Sequence, residues 1–264
     1  MHRIYFLLRQ IFTAIVVTLL AHYSLPAMAE RDEVAFFSGR ISKTSVSEFL
    51  AKNGGKQLRE IVIFSDGGEV LPAITLGHWI SERRINLRVR GLCMSACANY
   101  IFTAASHKFI EKGALVLWHG SAEQKDFREL QERYEIISER QAVGQPLTEE
   151  DSDYLVKKRI AYLGIVEARK AQRKFFDTIR VNEEITRLGQ EPHNFGIDSW
   201  TATVELMRLH GIDNVEASED YGTVSYIQKH PLFGLLLGGR AVTFDLHENT
   251  LRPTIVGLNS QSRK

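Results

Sequence analysis

Short apolar runs alternate with helical patterns along the first half of the chain, and this alternation constrains the fold more than any other feature. Val70–Ile80 is apolar at helical spacing, and its Pro72 falls in the first turn, where proline is tolerated. Strands that alternate with helices predict parallel βαβ units and an α/β fold. The other predicted strands and helices are Val34–Ile41, Thr44–Lys52, Glu60–Phe64, Ile85–Val89, Ala98–Ala104 and Ala114–Trp118.

The N-terminus has the pattern of an export signal. Arg3 and Arg9 precede the largely apolar run Ile11–Ala21, and Ala27-Met28-Ala29 has the small-x-small pattern at which signal peptidase cuts. The run is shorter than the roughly 20 residues that a membrane span requires. We therefore predict a signal peptide over residues 1–29 and a periplasmic or secreted protein. The alternative is an uncleaved N-terminal anchor, which would place the chain at a membrane.

Removal of this leader would leave a nearly neutral chain. The full sequence has 33 basic and 32 acidic residues, and the leader holds two of the basic ones and no acidic one, so the balance becomes 31 against 32. Such a balance lacks the basic footprint of nucleic-acid binding. The sequence also contains no nucleotide-binding loop and no metal cluster, so no cofactor and no metal are predicted.

The chain's only two cysteines, Cys93 and Cys97, flank a serine in the stretch GLCMSACA. A Cys-x3-Cys pair with no histidine at ligand spacing is a poor zinc site. In an oxidising compartment the pair is expected to form a disulfide. Its loop is too short for a large entropic gain, so its main effect would be to fix the backbone around Ser95. The alternative is that both cysteines pack as small apolar residues.

Polar residues follow three of the predicted strands. Gly67 and Gly68 follow the first of them, Ser95 the next and His119 the last. Open α/β sheets place their sites at this edge. There Ser95 would be a nucleophile, His119 its general base, and nearby backbone N–H groups the donors that stabilise an oxyanion. Taken alone, a Gly-Gly pair is typical of a turn, a serine at this position of a helix N-cap, and a single histidine at a strand end of a structural residue.

The region from Phe36 to about Gly120 resembles the core of the Clp protease proteolytic subunit (ClpP) and the wider ClpP/crotonase superfamily. It is similar in particular to exported ClpP-like proteins of bacteria. The motifs that carry the resemblance are FFSGRI, IVIFSDGG, GLCMSACA and LVLWHG. The resemblance implies an α/β fold of repeated ββα units with a helical insertion. Asp66 stands where the family usually has proline.

The resemblance also implies the roles of the site residues. Ser95 would be the nucleophile and His119 the base, and the oxyanion hole would be formed by Gly67 or Gly68 together with the backbone N–H of Ala96.

The third member of a triad would be Asp198, in the stretch DSWTATVELMRLHGID. It would hold the His119 tautomer and stabilise the imidazolium, although an acid at this position is alternatively a helix N-cap. Lys108 and Lys112 follow Ser95 too closely for the serine–lysine dyad of signal peptide peptidase A proteins, so the Ser-His arrangement is preferred.

The same resemblance divides the mature chain. Residues 30–121 would form the ClpP-like core, 122–196 a helical insertion or arm, 197–220 the end of the core, and 221–264 a C-terminal extension with a hairpin. In ClpP the insertion mediates subunit contacts, which implies a homo-oligomer. Composition alone is equally compatible with a solvated helical hairpin interrupted over residues 143–151.

Together these patterns predict an exported serine peptidase or other acyl hydrolase that acts on a peptide or protein substrate. The alternative function is a noncatalytic ClpP-fold scaffold that binds a protein partner. Acyl-CoA chemistry of the crotonase kind is disfavoured, because coenzyme A is not expected in an exported compartment.

Overall fold

A computed structural model of the chain describes residues 33–191, 199–231, 240–247 and 250–257. The predicted signal peptide and Asp198 lie outside these ranges. The strands are β1 (Glu33–Ser38), β2 (Leu58–Ser65), β3 (Asn86–Met94), β4 (Lys108–Ile110), β5 (Leu115–Leu117), β6 (Trp200–Ala202), β7 (Val215–Glu216), β8 (Arg240–His247) and β9 (Thr250–Gly257).

The α-helices are α1 (Lys43–Asn53), α2 (Val70–Glu82), α3 (Lys125–Ala142), α4 (Glu149–Ile179), α5 (Val204–Leu209) and α6 (Val224–Lys229). A π-helix covers Cys97–Phe102, and two 3-10 turns cover Glu183–Thr186 and Leu188–Gln190. None of the helices in the described ranges combines the length and the apolar character needed to cross a membrane.

The main sheet has six strands, and all of its pairings are parallel. Its order is β1-β2-β3-β4-β7, with β5 beside β3. The first half of β3 pairs with β4, and its second half pairs with β5 up to the pair Met94 and Leu117. This arrangement confirms the predicted α/β class with a mostly parallel sheet. It also brings the ends of β3 and β5 together.

The strand predicted over Glu60–Phe64 is present as part of β2, most of which is buried. Along β2, Ile61, Val62 and Ile63 are all buried, as expected of a strand covered on both sides. The strand predicted over Ile85–Val89 extends further, to Met94, and the helix predicted over Ala98–Ala104 is a π-helix. Six residues are too few for a sequence pattern to separate α from π geometry.

A second, three-stranded sheet lies after the helical arm in the sequence. β6 pairs in parallel with β8, and β8 pairs antiparallel with β9, so the hairpin predicted for the C-terminal extension is present. Backbone hydrogen bonds between Trp118 and Trp200 join this sheet to the end of β5. Tyr221 and Thr201 bond the N–H and C=O of Val116 through their hydroxyl groups, so they satisfy the outer edge of β5.

Within residues 122–196, the predicted insertion or arm, the helices α3 and α4 form a helical hairpin. Arg140 pairs with Asp151 near the turn, and Tyr134 stacks on Tyr162 further from it, with ring centroids 4.1 Å apart. Thr148 caps α4 by accepting a hydrogen bond from the Asp151 N–H.

Lys108 is a buried cation in β4, only 4% exposed, and its ammonium group donates to the Asp213 carbonyl over 2.9 Å. Burial lowers its pKa to about 8. Because the pKa in the folded state lies below the unfolded value of about 10.4, the free energy of unfolding should rise as pH increases between these values.

We therefore expect Lys108→Met to raise the free energy of unfolding by about 1–3 kcal/mol near neutral pH, because it removes a buried charge. The gain should shrink at pH ~9.5, where the wild-type lysine is largely neutral in the folded state. Urea titrations of both proteins at the two pH values measure this, and a pH-independent difference would contradict it.

Candidate active site

Ser95 lies in the turn between β3 and the π-helix. Its φ of 59° is in the left-handed region, which a serine occupies only when its surroundings hold it there. The Ser95 N–H donates to the Leu117 carbonyl over 2.9 Å, and the Ser95 carbonyl accepts from the Asn99 N–H over 2.8 Å. The backbone is thus fixed on both sides of a half-buried serine.

A disulfide between Cys93 and Cys97 spans this turn, with a Cα–Cα distance of 5.2 Å. Cys93 belongs to β3 and Cys97 opens the π-helix, and both are fully buried. The predicted cysteine pairing is therefore present. Because the bridge encloses the left-handed residue, it opposes relaxation of the Ser95 turn to an ordinary extended or helical conformation.

Gly67 lies directly against the Ser95 turn. A Cβ at Gly67 would be 2.6 Å from both the Met94 carbonyl oxygen and the Ser95 Cβ, and the φ of Gly67 is 94°. A Cβ at Gly68 would be 2.0 Å from the Ile41 carbonyl oxygen. Only glycine permits this approach, which brings the end of β2 into contact with the Ser95 turn.

The backbone N–H groups near Ser95 differ in their bonding. The Gly67 N–H donates to Ser65 Oγ over 3.1 Å. Within the described part of the chain, the N–H groups of Gly68 and Ala96 donate no hydrogen bond. Of the predicted oxyanion donors, Gly68 and Ala96 are therefore the ones whose N–H groups remain available for a ligand.

His119 lies two residues beyond the end of β5. Since Met94 pairs with Leu117, the chain places Ser95 and His119 one and two residues past a pair of adjacent strand ends. His119 is half-buried, and its carbonyl oxygen accepts a hydrogen bond from Gln190 Nε2 over 3.0 Å. The structure thus brings both predicted residues to one edge of the sheet.

The helical arm holds the loop that follows His119. Gln172, fully buried in α4, accepts hydrogen bonds through Oε1 from the Tyr100 hydroxyl over 2.6 Å and from the Ala122 N–H over 3.1 Å. Burial raises the pKa of Tyr100, so its hydroxyl remains a donor. Arg169 also contacts this loop, through the Ala122 carbonyl and the Glu123 carboxylate. This loop is therefore part of the packed structure.

Asn99 and Gln190 were not predicted from the sequence. Asn99 Nδ2 donates to the Gly120 carbonyl over 2.7 Å, and Gln190 Oε1 accepts from the Lys125 N–H over 3.1 Å. A single amide in an apolar segment, or in a loop, has no pattern that marks it.

Over the described ranges, no group of three His, Cys, Asp or Glu side chains is placed to hold a metal ion.

Comparison with known proteins gives structural likenesses and no match by sequence. No family model matches the sequence, and no curated protein matches it. Among solved structures, the ClpP protease catalytic domain from Plasmodium falciparum is similar at 15% identity and a TM-score of 0.24, over 29% of this chain and 49% of that one. The chain spans about half the length of that domain.

Proposed function

We propose that this chain is an exported ClpP-like serine hydrolase, acting as a peptidase or acyl hydrolase with Ser95 as nucleophile and His119 as base. One observation carries the proposal: a serine held at φ 59° shares a sheet edge with a half-buried histidine and with the unbonded N–H groups of Gly68 and Ala96. A strained, clamped serine beside a histidine and oxyanion donors is the arrangement that acyl transfer requires.

The reaction would proceed in two steps. Ser95 Oγ attacks the carbonyl carbon of the substrate while its proton passes to His119, and the N–H groups of Gly68 and Ala96 stabilise the oxyanion. The intermediate collapses to an acyl-serine, and the leaving amine or alcohol takes the proton from His119. Water then attacks the acyl-serine by the same route and regenerates the Ser95 hydroxyl.

Asp198 completes the triad in this proposal by orienting the His119 ring. Two contacts of neighbouring residues support the assignment. Trp200, two residues after Asp198, exchanges backbone hydrogen bonds of 2.9 Å with Trp118, the residue before His119. The buried disulfide likewise supports an oxidising periplasmic or secreted location, because such bonds persist there.

The proposal has a direct chemical test in p-nitrophenyl acetate. Attack by Ser95 would release p-nitrophenolate in a burst and leave the mass of one acetyl group on the protein, detected by intact mass spectrometry after acid quench. Ser95→Ala should abolish the burst and the added mass, while Ser47→Ala, which removes an exposed hydroxyl from α1, should retain both. A burst that persists in Ser95→Ala would overturn the proposal.

The helical arm favours a second candidate function, a noncatalytic scaffold that binds a protein partner. Val156, Ile160 and Leu163 lie at helical spacing on α4 and are 79%, 86% and 54% exposed. An apolar stripe of this kind is typical of an interaction surface, and homo-oligomerisation through the same arm is a further proposal. Unimpaired biological function of Ser95→Ala would favour the scaffold.

A further inference from the structure

We propose that Asn99 is a positioning residue that couples the Ser95 turn to the loop carrying His119. This inference rests on the proposed function and deepens it, because it assigns to a buried amide the alignment of nucleophile and base. Asn99 would touch neither the substrate nor the reacting atoms.

Asn99 contacts both halves of the site at once. Its backbone N–H donates to the Ser95 carbonyl over 2.8 Å, and its side-chain Nδ2 donates to the Gly120 carbonyl over 2.7 Å. It is 1% exposed, so water does not compete for either bond. One buried residue therefore links the peptide group that follows Ser95 to the residue that follows His119.

The orientation of the Asn99 amide follows from chemistry. The Gly120 carbonyl can only accept, so the atom that faces it must be the amide nitrogen. The Asn99 Oδ1 is then buried, and within the described ranges it has no hydrogen-bond partner. An unpaired buried acceptor is unfavourable, and a leucine would fill an apolar helix position without it. The bond to Gly120 is the contact that an apolar residue could not replace.

Gln190 also bonds the loop that carries His119, but it links this loop to a different part of the structure than Asn99 does. The Gln190 side chain donates to the His119 carbonyl and accepts from the Lys125 N–H of α3. It therefore attaches the loop that carries His119 to the helical hairpin. Asn99 attaches the same loop to the turn that holds the nucleophile. Loss of Asn99 should therefore change the separation of the two reactive side chains, which Gln190 alone does not determine.

The experiment compares Asn99→Ala with Asn53→Ala. Asn53 is a matched control, because it is also a buried asparagine whose side chain donates to a backbone carbonyl. It is 5% exposed, and its Nδ2 donates to the Phe49 carbonyl over 2.9 Å in the last turn of α1. Two quantities are measured for each variant: the inactivation kinetics with a fluorophosphonate, and amide hydrogen exchange in the peptides that contain Ser95 and His119.

Asn99→Ala should lower the maximal inactivation rate about 10–100-fold with little change in the half-saturating probe concentration, since a small misplacement of reacting groups has effects of that size. Exchange should accelerate in the Ser95 and His119 peptides. Asn53→Ala should lower thermal stability and leave the rate and these peptides unchanged. Asn99→Leu, which fills the apolar position but cannot donate to the Gly120 carbonyl, should behave as Asn99→Ala does and replaces it if that variant does not fold.

Failure of this inference is distinguishable from failure of the proposed function. If wild type reacts and the Asn99 variants react at the rate of Asn53→Ala, the coupling is overturned. If wild type does not react, the proposed function fails, and exchange alone decides the coupling. If hydrogen exchange in the Asn99 variants accelerates only in the peptides that contain Ser95 and His119, the coupling is upheld. If exchange is unchanged, or rises equally across the protein, the coupling is overturned.

Discussion

Replacing His119 with alanine is expected to slow the reaction of Ser95 with a fluorophosphonate by about 10²–10⁴-fold, the usual contribution of a general base. A serine hydroxyl at neutral pH is a weak nucleophile until a base removes its proton in the transition state. His119 is half-buried, so the melting temperature of the variant is measured beside the reaction rate to separate loss of the base from loss of folding.

His78→Ala is the matched control for this prediction. His78 is also half-buried, and its ring packs edge-on against Phe175 in the core, with centroids 5.1 Å apart. It should change the melting temperature and leave the reaction rate unchanged. Equal rates in His119→Ala and wild type, with both proteins folded, would show that His119 is not the base.

Gly67→Ala is expected to remove most of the reactivity of Ser95 and to lower the free energy of unfolding by about 3–5 kcal/mol. Two effects add in this variant. The φ of 94° is unfavourable for alanine, and the new Cβ would lie 2.6 Å from the Met94 carbonyl oxygen and from the Ser95 Cβ. Relief of these contacts requires the end of β2 to move away from the Ser95 turn.

Gly39→Ala separates the two effects. The φ of Gly39 is 95°, almost the same as that of Gly67, yet a Cβ there would meet no atom within 4 Å. It should lower the free energy of unfolding by only about 1–2 kcal/mol and leave Ser95 reactive. Denaturant titration with the disulfide intact measures both variants. Equal losses of stability would mean that the contact with the Ser95 turn has no energetic importance.

The sequence predicted those parts of the fold that depend on burial. Runs such as Glu60–Phe64 are buried almost throughout, so their apolar pattern is continuous and marks a strand. The strands β4 and β7 were missed because they have three and two residues, and β4 begins with the buried cation Lys108. A charged residue at the start of a short segment gives no strand pattern.

The sequence predicted the edge of the sheet at which the candidate site lies, but it did not predict which side chains bond one another there. Gly67, Ser95 and His119 each follow an apolar run, and parallel topology places such strand ends at one edge. Asn99 could not be predicted as part of the site, because its partner Gly120 is 21 residues away and a single amide in an apolar helix matches no sequence pattern. Gln172 bonds Tyr100 from 72 residues away, a relation that only the folded chain creates.

The most direct test of the central claim is to identify the residue that a fluorophosphonate modifies in the folded, disulfide-bonded protein. Attack by Ser95 Oγ on phosphorus would expel fluoride and leave a stable phosphonyl group, which peptide mass spectrometry locates. We predict one modification per chain, on the peptide that contains Ser95, and none in Ser95→Ala. An unmodified folded protein, or a label on a different serine, would contradict the assignment of Ser95 as an activated nucleophile.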